Sequence, residues 1–425
     1  MIKVIKNGTV ITMDEKREKK YEKLDIIIED NKIIDIVSNY TGIYDEIIDA
    51  TDKVVMPGLI NCHTHLAMSI FRAINDNYTL DEWLNKKIWP IEKNLTEKDI
   101  YYATLLSIIE MIKTGTTCCN DMYFGYENVI KAADECHFRI MLGRNLTDSK
   151  DNGEEQIEDF KKLYKKYPSS ELRHWTLAPH SLYTCSKKYL IKISKMAKEL
   201  NLPIHIHFCE NKEEVLKIKK TFHKDPVDVL NKLGFLDNKL ILAHGTFISD
   251  KGLKKLKNKN ISIVHNPISN LNLGCGIADI TKYMKYVNIS LGTDGQGSGN
   301  NLNMFYHMSV VDLLQKGIKE NPTVFDSYNS LKMATINGAK ALGLENEIGS
   351  IEIGKKADII IIDLQKNELY SSNDIITNIV HNVSSKNIDT TIINGEVLLK
   401  DNKLCIPLNE DVLGKKIKNI MNNLN

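Results

Sequence analysis

No apolar stretch in this 425-residue chain approaches the roughly 18 residues needed to span a bilayer. No C-x-x-C occurs among the eight cysteines, whose one close pair is Cys118-Cys119, so neither a zinc ribbon nor a disulfide framework is implied. No sign of charge dominates either. Fifty-six basic residues face 55 acidic ones for a net +1, which gives no reason to expect nucleic acid or an acidic membrane as partner. The densest basic clusters, Lys16 to Lys20 and Lys254 to Lys259, read as solvated faces. The opening Met1-Ile2-Lys3-Val4 soon turns polar and lacks an apolar signal region with a cleavage site. A cytoplasmic protein with reduced thiols is expected.

What is present is the profile of a globular protein, 42% hydrophobic and 26% charged. Such a length predicts one large domain with a small companion. The first fifty-odd residues read as short β segments: Val4 to Thr12, then a hairpin of Leu24 to Glu29 and Lys32 to Val37. Strand candidates then alternate with helical stretches. The strands are Leu59 to His63, Thr116 to Asp121, Arg139 to Gly143, Trp175 to Pro179, Ile204 to Cys209, Leu240 to His244, Ser262 to Asn266 and Ile289 to Gly292. Repeated strand-helix alternation implies parallel pairing, and eight units fit a closed (β/α)8 TIM-type barrel better than an open sheet. After Gly349 the β texture returns, with Ile359 to Asp363 and a hairpin turning at Asn394-Gly395. The expected architecture is α/β: a barrel over 56–349, and a small discontinuous β-sandwich-like domain from 1–55 and 350–425.

Chemistry-bearing residues fall at the predicted strand ends, where barrel enzymes keep their sites. His63 and His65 are two apart on a strand and point to one face, so both imidazoles can converge on one ion. His205 and His207 also share a face; His207 is nearer the mouth, and Glu210 follows just past the strand. Cys209 has the same parity but reads as a small buried hydrophobe. His244 ends another strand and Asp294 follows the last. Any one of these would usually be structural; four strand ends bearing ligand-type residues at one mouth are not a chance pattern.

The segment Pro57-Gly58-Leu59-Ile60-Asn61-Cys62-His63-Thr64-His65, the His-x-x-Glu of His207 and Glu210, His244-Gly245 and Gly292-Thr293-Asp294 together resemble the amidohydrolase superfamily, in its order and over nearly the whole chain. The resemblance implies that His63, His65, His207 and Asp294 hold one divalent metal, while Glu210, His244 and Asp294 serve catalysis. Imidazoles and a carboxylate suit Zn2+, or Fe2+, with a position open for water. Coordination takes water's pKa from about 15.7 to about 7, worth roughly 12 kcal/mol at about 1.36 kcal/mol per unit. The expected reaction is water attack on an amidine-like ring carbon. Glu210 moves the proton to the ring nitrogen and departing ammonia, His244 steadies the oxyanion, and Asp294 takes the first proton.

Further segments resemble the 5'-methylthioadenosine/S-adenosylhomocysteine deaminase branch: Asp81-Glu82-Trp83-Leu84, Trp89-Pro90-Ile91-Glu92, Ala178-Pro179-His180-Ser181 and Asn266 to Gly274. By that resemblance Trp83 packs against substrate, Glu92 accepts the ribose hydroxyls and His180 contacts the adenine. Arg144 is a candidate to read a homocysteine carboxylate. No arginine stands in Asp151 to Gln156, where a second is expected, which favours a neutral 5' group. The implied partner is a small-molecule nucleoside, and a homo-oligomer is expected. Guanine, cytosine or s-triazine hydrolases share the metal set; Glu92 and His180 argue against them. The Gly295-Gln296-Gly297-Ser298-Gly299 turn mimics a nucleotide-binding loop but has Asn300 where the last glycine belongs.

Overall fold

A computed structural model describes residues 1–74, 77–365, 369–370 and 373–424. The eight expected barrel segments all form strands. They are β6 (Leu59–Thr64), β7 (Thr116–Tyr123), β8 (Arg139–Leu146), the pair β9 (Arg173–Trp175) and β10 (Ala178–Pro179), β11 (Ile204–Phe208), β12 (Leu240–His244), β13 (Ile261–His265) and β14 (Asn288–Leu291). Pairing is parallel throughout, in the orders β10-β8-β7-β6 and β11-β12-β13-β14. Two seams join these arcs. Leu177 bridges Ile204, and beyond β14 the amides of Thr293 and Asp294 both donate to His63 O, at 3.1 and 3.0 Å. At this second seam the barrel is closed by backbone groups of His63, Thr293 and Asp294.

The expected strand Trp175 to Pro179 is split at Thr176 and Leu177. Thr176 N donates to Leu142 O on β8, while Leu177 N already donates to Pro203 O ahead of β11. Both neighbours are thus paired across the interruption, as for any interior parallel strand, and β10 continues on β8 at Ala178 and Pro179.

Both chain ends meet in one nine-stranded sheet of β1 (Ile2–Val10), β2 (Glu22–Glu29), β3 (Lys32–Val37), β4 (Glu46–Asp49), β5 (Lys53–Pro57), β15 (Ile359–Asp363), β16 (Ile388–Ile393), β17 (Glu396–Lys400) and β18 (Lys403–Leu404). The join is the antiparallel pairing of β5 with β15. Alternating isoleucines and valines, among them Ile5, Ile26, Ile28, Val55, Ile359 and Ile361, build a core for this sheet distinct from the barrel's. The β16–β17 turn falls on Asn394 and Gly395, both at positive φ, as a two-residue hairpin requires. Two helices of the C-terminal segment, Ile375–Asn382 and Glu410–Leu424, pack on barrel helices instead of the sheet. Among the described residues no helix is long and apolar enough to cross a membrane.

Candidate active site

The mouth of the barrel gathers the sequence-predicted residues into one cavity. It is lined by His65, Trp83, Glu92, His180, His207, Glu210, His244 and Asp294, with Tyr123, Asn145 and Tyr183 among others. His63 lies just beneath, wholly buried at the end of β6. Its Nε2 is 3.6 Å from Asp294 Oδ1, and His65 Nε2 is 3.1 Å from the same oxygen. His207 Nε2 stands 3.4 Å from His65 Nε2. Donor atoms of His63, His65 and Asp294, of His63, His207 and His244, and of Glu210, His244 and Asp294 each cluster within 4.8 Å.

Strand ends aim these groups by leaving the β conformation abruptly. Cys209, His244 and Asp294 all sit at positive φ, 51°, 72° and 62°. Such non-glycine positions cost on the order of 1–3 kcal/mol each and gather at functional sites. After β11 the turn at Cys209 swings Glu210 inward, and Glu214 holds it there. One Glu214 oxygen accepts Cys209 N at 3.1 Å and the other Glu210 N at 2.7 Å. Asn211 caps the helix Lys212–Phe222 that carries Glu214.

A second layer orients the imidazoles. His65 Nδ1 donates to Met122 O, and His207 Nδ1 donates to His180 O at 2.8 Å. His244 Nδ1 lies 2.8 Å from Asn270 Oδ1. His205, left open by strand parity, lies one layer deeper, with Nε2 2.9 Å from His63 Nδ1 and Nδ1 3.1 Å from the Asn120 amide. Asp294 receives Ser269 Oγ–H at 2.7 Å and Gly295 N–H at 2.7 Å. The orienting roles of Asn120, Asn270, Ser269 and Glu214 escape sequence reasoning, although Ser269 and Asn270 fall in the Asn266 to Gly274 segment, since those roles depend on contacts between separate elements.

Burial sets the charges. Removal from water lowers the His63 pKa to about 3, against the pull of Asp294. Burial also disfavours charge on His65, yet the adjacent Asp294 carboxylate outweighs it and lifts His65 to about 9. His207 is held well below its ordinary value by burial and neighbouring imidazoles. Asp294 stays ionised despite burial because His63 and His65 face it. Burial, reinforced by Asp294, raises Glu210 to about 8. His180 falls to about 4 by burial, and Glu92 is raised by burial although Tyr123 O–H donates to it at 2.7 Å.

Arg144 does not join them. Residues 144 and 145 point to opposite sides of β8, and Arg144 turns outward to Asp159 at 3.2 Å, lining a separate cleft with Tyr126 and Lys166. The glycine-rich turn after Asp294 is buried packing: a Cβ on Gly297 would meet Met68 at 2.8 Å and Trp83 at 3.0 Å. Its glycines let the chain pass beneath Trp83.

Known proteins share this arrangement's scaffold and sequence. The chain is 43% identical over 401 residues to a 5-methylthioadenosine/S-adenosylhomocysteine deaminase of Thermococcus sibiricus, covering 93% of each. It is 41% identical over 404 residues to a 5'-deoxyadenosine deaminase of Methanocaldococcus jannaschii, covering 93% of this chain and 95% of that one. A zinc-bound adenosine deaminase structure from Xanthomonas campestris superposes with a TM-score of 0.95 at 27% identity, over 99% of this chain and 98% of that one. With its histidines and carboxylates at the mouth of a closed barrel, and a match to the Amidohydrolase family across residues 54–398, this chain belongs to that family.

Proposed function

We propose that the protein is a hydrolytic deaminase of 5'-modified adenosines such as 5'-methylthioadenosine or 5'-deoxyadenosine, converting adenine to hypoxanthine with release of ammonia. The observation that carries this reading is the convergence of Glu210, His244 and Asp294 with Glu92, His180 and Trp83 in one cavity. The names of the relatives support it.

His63, His65, His207 and Asp294 would hold one divalent ion. Three imidazoles and a carboxylate fit zinc first and ferrous iron second. The buried Nε2 of His63 has no hydrogen-bond partner, which is what an absent ligand leaves behind. For that atom to offer a lone pair, His63 Nδ1 carries the ring proton and donates to His205 Nε2. When bound, the ion supplies Lewis acidity that brings a water's pKa from about 15.7 to about 7.

The protein's own groups manage the protons. His244, with Nδ1–H directed to Asn270, offers Nε2 to orient the attacking water. Asp294, fixed by Ser269 and Gly295, accepts the water's first proton. Glu210, raised to about 8, carries a proton near neutral pH and delivers it to the ring nitrogen. The proton held by Asp294 then passes to the departing amine, and the hydroxyl proton left on the tetrahedral carbon returns to Glu210 as the carbonyl forms. Glu92 accepts the ribose hydroxyls, His180 meets the base, and Trp83 closes over it. The test is ammonia release across adenosine derivatives, guanine, cytosine and s-triazines. Turnover of adenosine derivatives is expected; turnover confined to the other rings overturns the substrate and leaves the hydrolase.

A further inference from the structure

Asn145 follows Arg144 near the end of β8, and the alternation that turns Arg144 outward brings Asn145 to the cavity wall. Its Oδ1 is buried and has no hydrogen-bond partner. On one side stands β7, whose Tyr123 holds Glu92; on the other stands β10, where Ala178 pairs with Asn145 and His180 follows shortly. A buried amide oxygen left unpaired costs on the order of 1–3 kcal/mol. A ligand or an ordered water bridging to it would recover that cost.

The same wall has no counter-charge for an anion. Among the described residues lining the cavity there is no lysine or arginine, whereas Glu92, Glu210 and Asp294 are all present. Two cations close by in the fold face elsewhere. Arg144 is engaged by Asp159, and Lys217 lies over the Tyr183 ring, 4.7 Å from its centroid, lining a different depression.

Resting on the nucleoside reading above, we propose that Asn145 is a substrate-binding residue facing the sugar of the ligand, and that the cavity, lined by carboxylates and no cation, selects a neutral 5' substituent over one bearing a carboxylate. With the base at His180 and the ribose at Glu92, Asn145 lies on the strand between β10, which leads to His180, and β7, whose Tyr123 holds Glu92, and so faces the sugar. A methyl or methylthio group needs no partner charge there. A homocysteine carboxylate would give up its hydration beside Glu92 with no cation to replace it.

Steady-state ammonia release by the metal-replete enzyme tests this with 5'-methylthioadenosine, 5'-deoxyadenosine and S-adenosylhomocysteine. The kcat/KM for S-adenosylhomocysteine is expected at least about tenfold below the other two. Asn145→Ala should raise KM for the neutral substrates about fivefold while nearly sparing kcat. Asn145→Arg should narrow the gap to S-adenosylhomocysteine. Equal use of all three substrates by the unmodified enzyme overturns the tail selection, and that comparison requires no variant to fold. An unchanged KM in folded, metal-loaded Asn145→Ala overturns the contact. Turnover of none of the three overturns the deaminase reading first and this proposal with it.

Discussion

The barrel buries ionic groups at both ends, and the two ends are finished differently. At the floor, Arg139 begins β8 fully enclosed and meets Asp358 with two parallel bonds, Nε to Oδ2 at 2.7 Å and Nη2 to Oδ1 at 2.8 Å. Arg139 also donates to Glu171 O, and Asp358 further receives Asn394 N at 2.8 Å. Both partners are satisfied within the protein, and the pair ties the barrel to the nine-stranded sheet. At the mouth, His63 Nε2, His244 Nε2, Trp83 Nε1 and Asn145 Oδ1 are buried without partners. The Arg139–Asp358 pair is closed within the protein, whereas these cavity-side atoms are placed to meet a ligand.

The sharpest way to break this contrast is to strip the mouth of its ion. Chelation is expected to take ammonia release to background, with recovery on adding back about one equivalent of zinc or ferrous iron. Activity that survives verified metal loss would defeat the metal-dependent reading. Next, Glu210→Gln should lower kcat about 10³-fold while elemental analysis finds the metal retained; normal turnover would remove Glu210 from the mechanism. The floor should respond in the opposite sense. Arg139→Met leaves Asp358 buried and unpaired, so urea unfolding should register a loss of about 3–5 kcal/mol while kcat of the folded enzyme is kept. A stable Arg139→Met protein with crippled kcat would erase the distinction between the two ends. The smallest effect is expected for Glu214→Gln, which keeps one oxygen for the two amides that fix Glu210. A kcat loss of about tenfold at nearly constant KM should result, and a change in KM alone would assign Glu214 to substrate binding.

Much of this was readable from residue order. Strand-helix alternation gives the barrel, because buried parallel strands are short, β-branched and joined by amphipathic helices. The helix Gly153–Lys166 is missed by that alternation, since its charged exposed face obscures the apolar stripe of Ile157 and Phe160. Period-two geometry places His63 with His65, and predicts that His205 and His207 share a face. It does not say that His205 sits a layer deeper and supports His63.

Sequence by itself thus determined the scaffold, the family and the residue types at each strand end, because periodicity and local motifs are properties of neighbouring residues. Tertiary structure alone decided which atoms remain unsatisfied, that Arg144 leaves the cavity while Asn145 enters it, and that Glu214 anchors Glu210. Those outcomes depend on side chains from separate strands and helices arriving at one place, and on water leaving it. Burial and hydrogen-bond satisfaction are properties of the packed barrel, fixed only when its strands close.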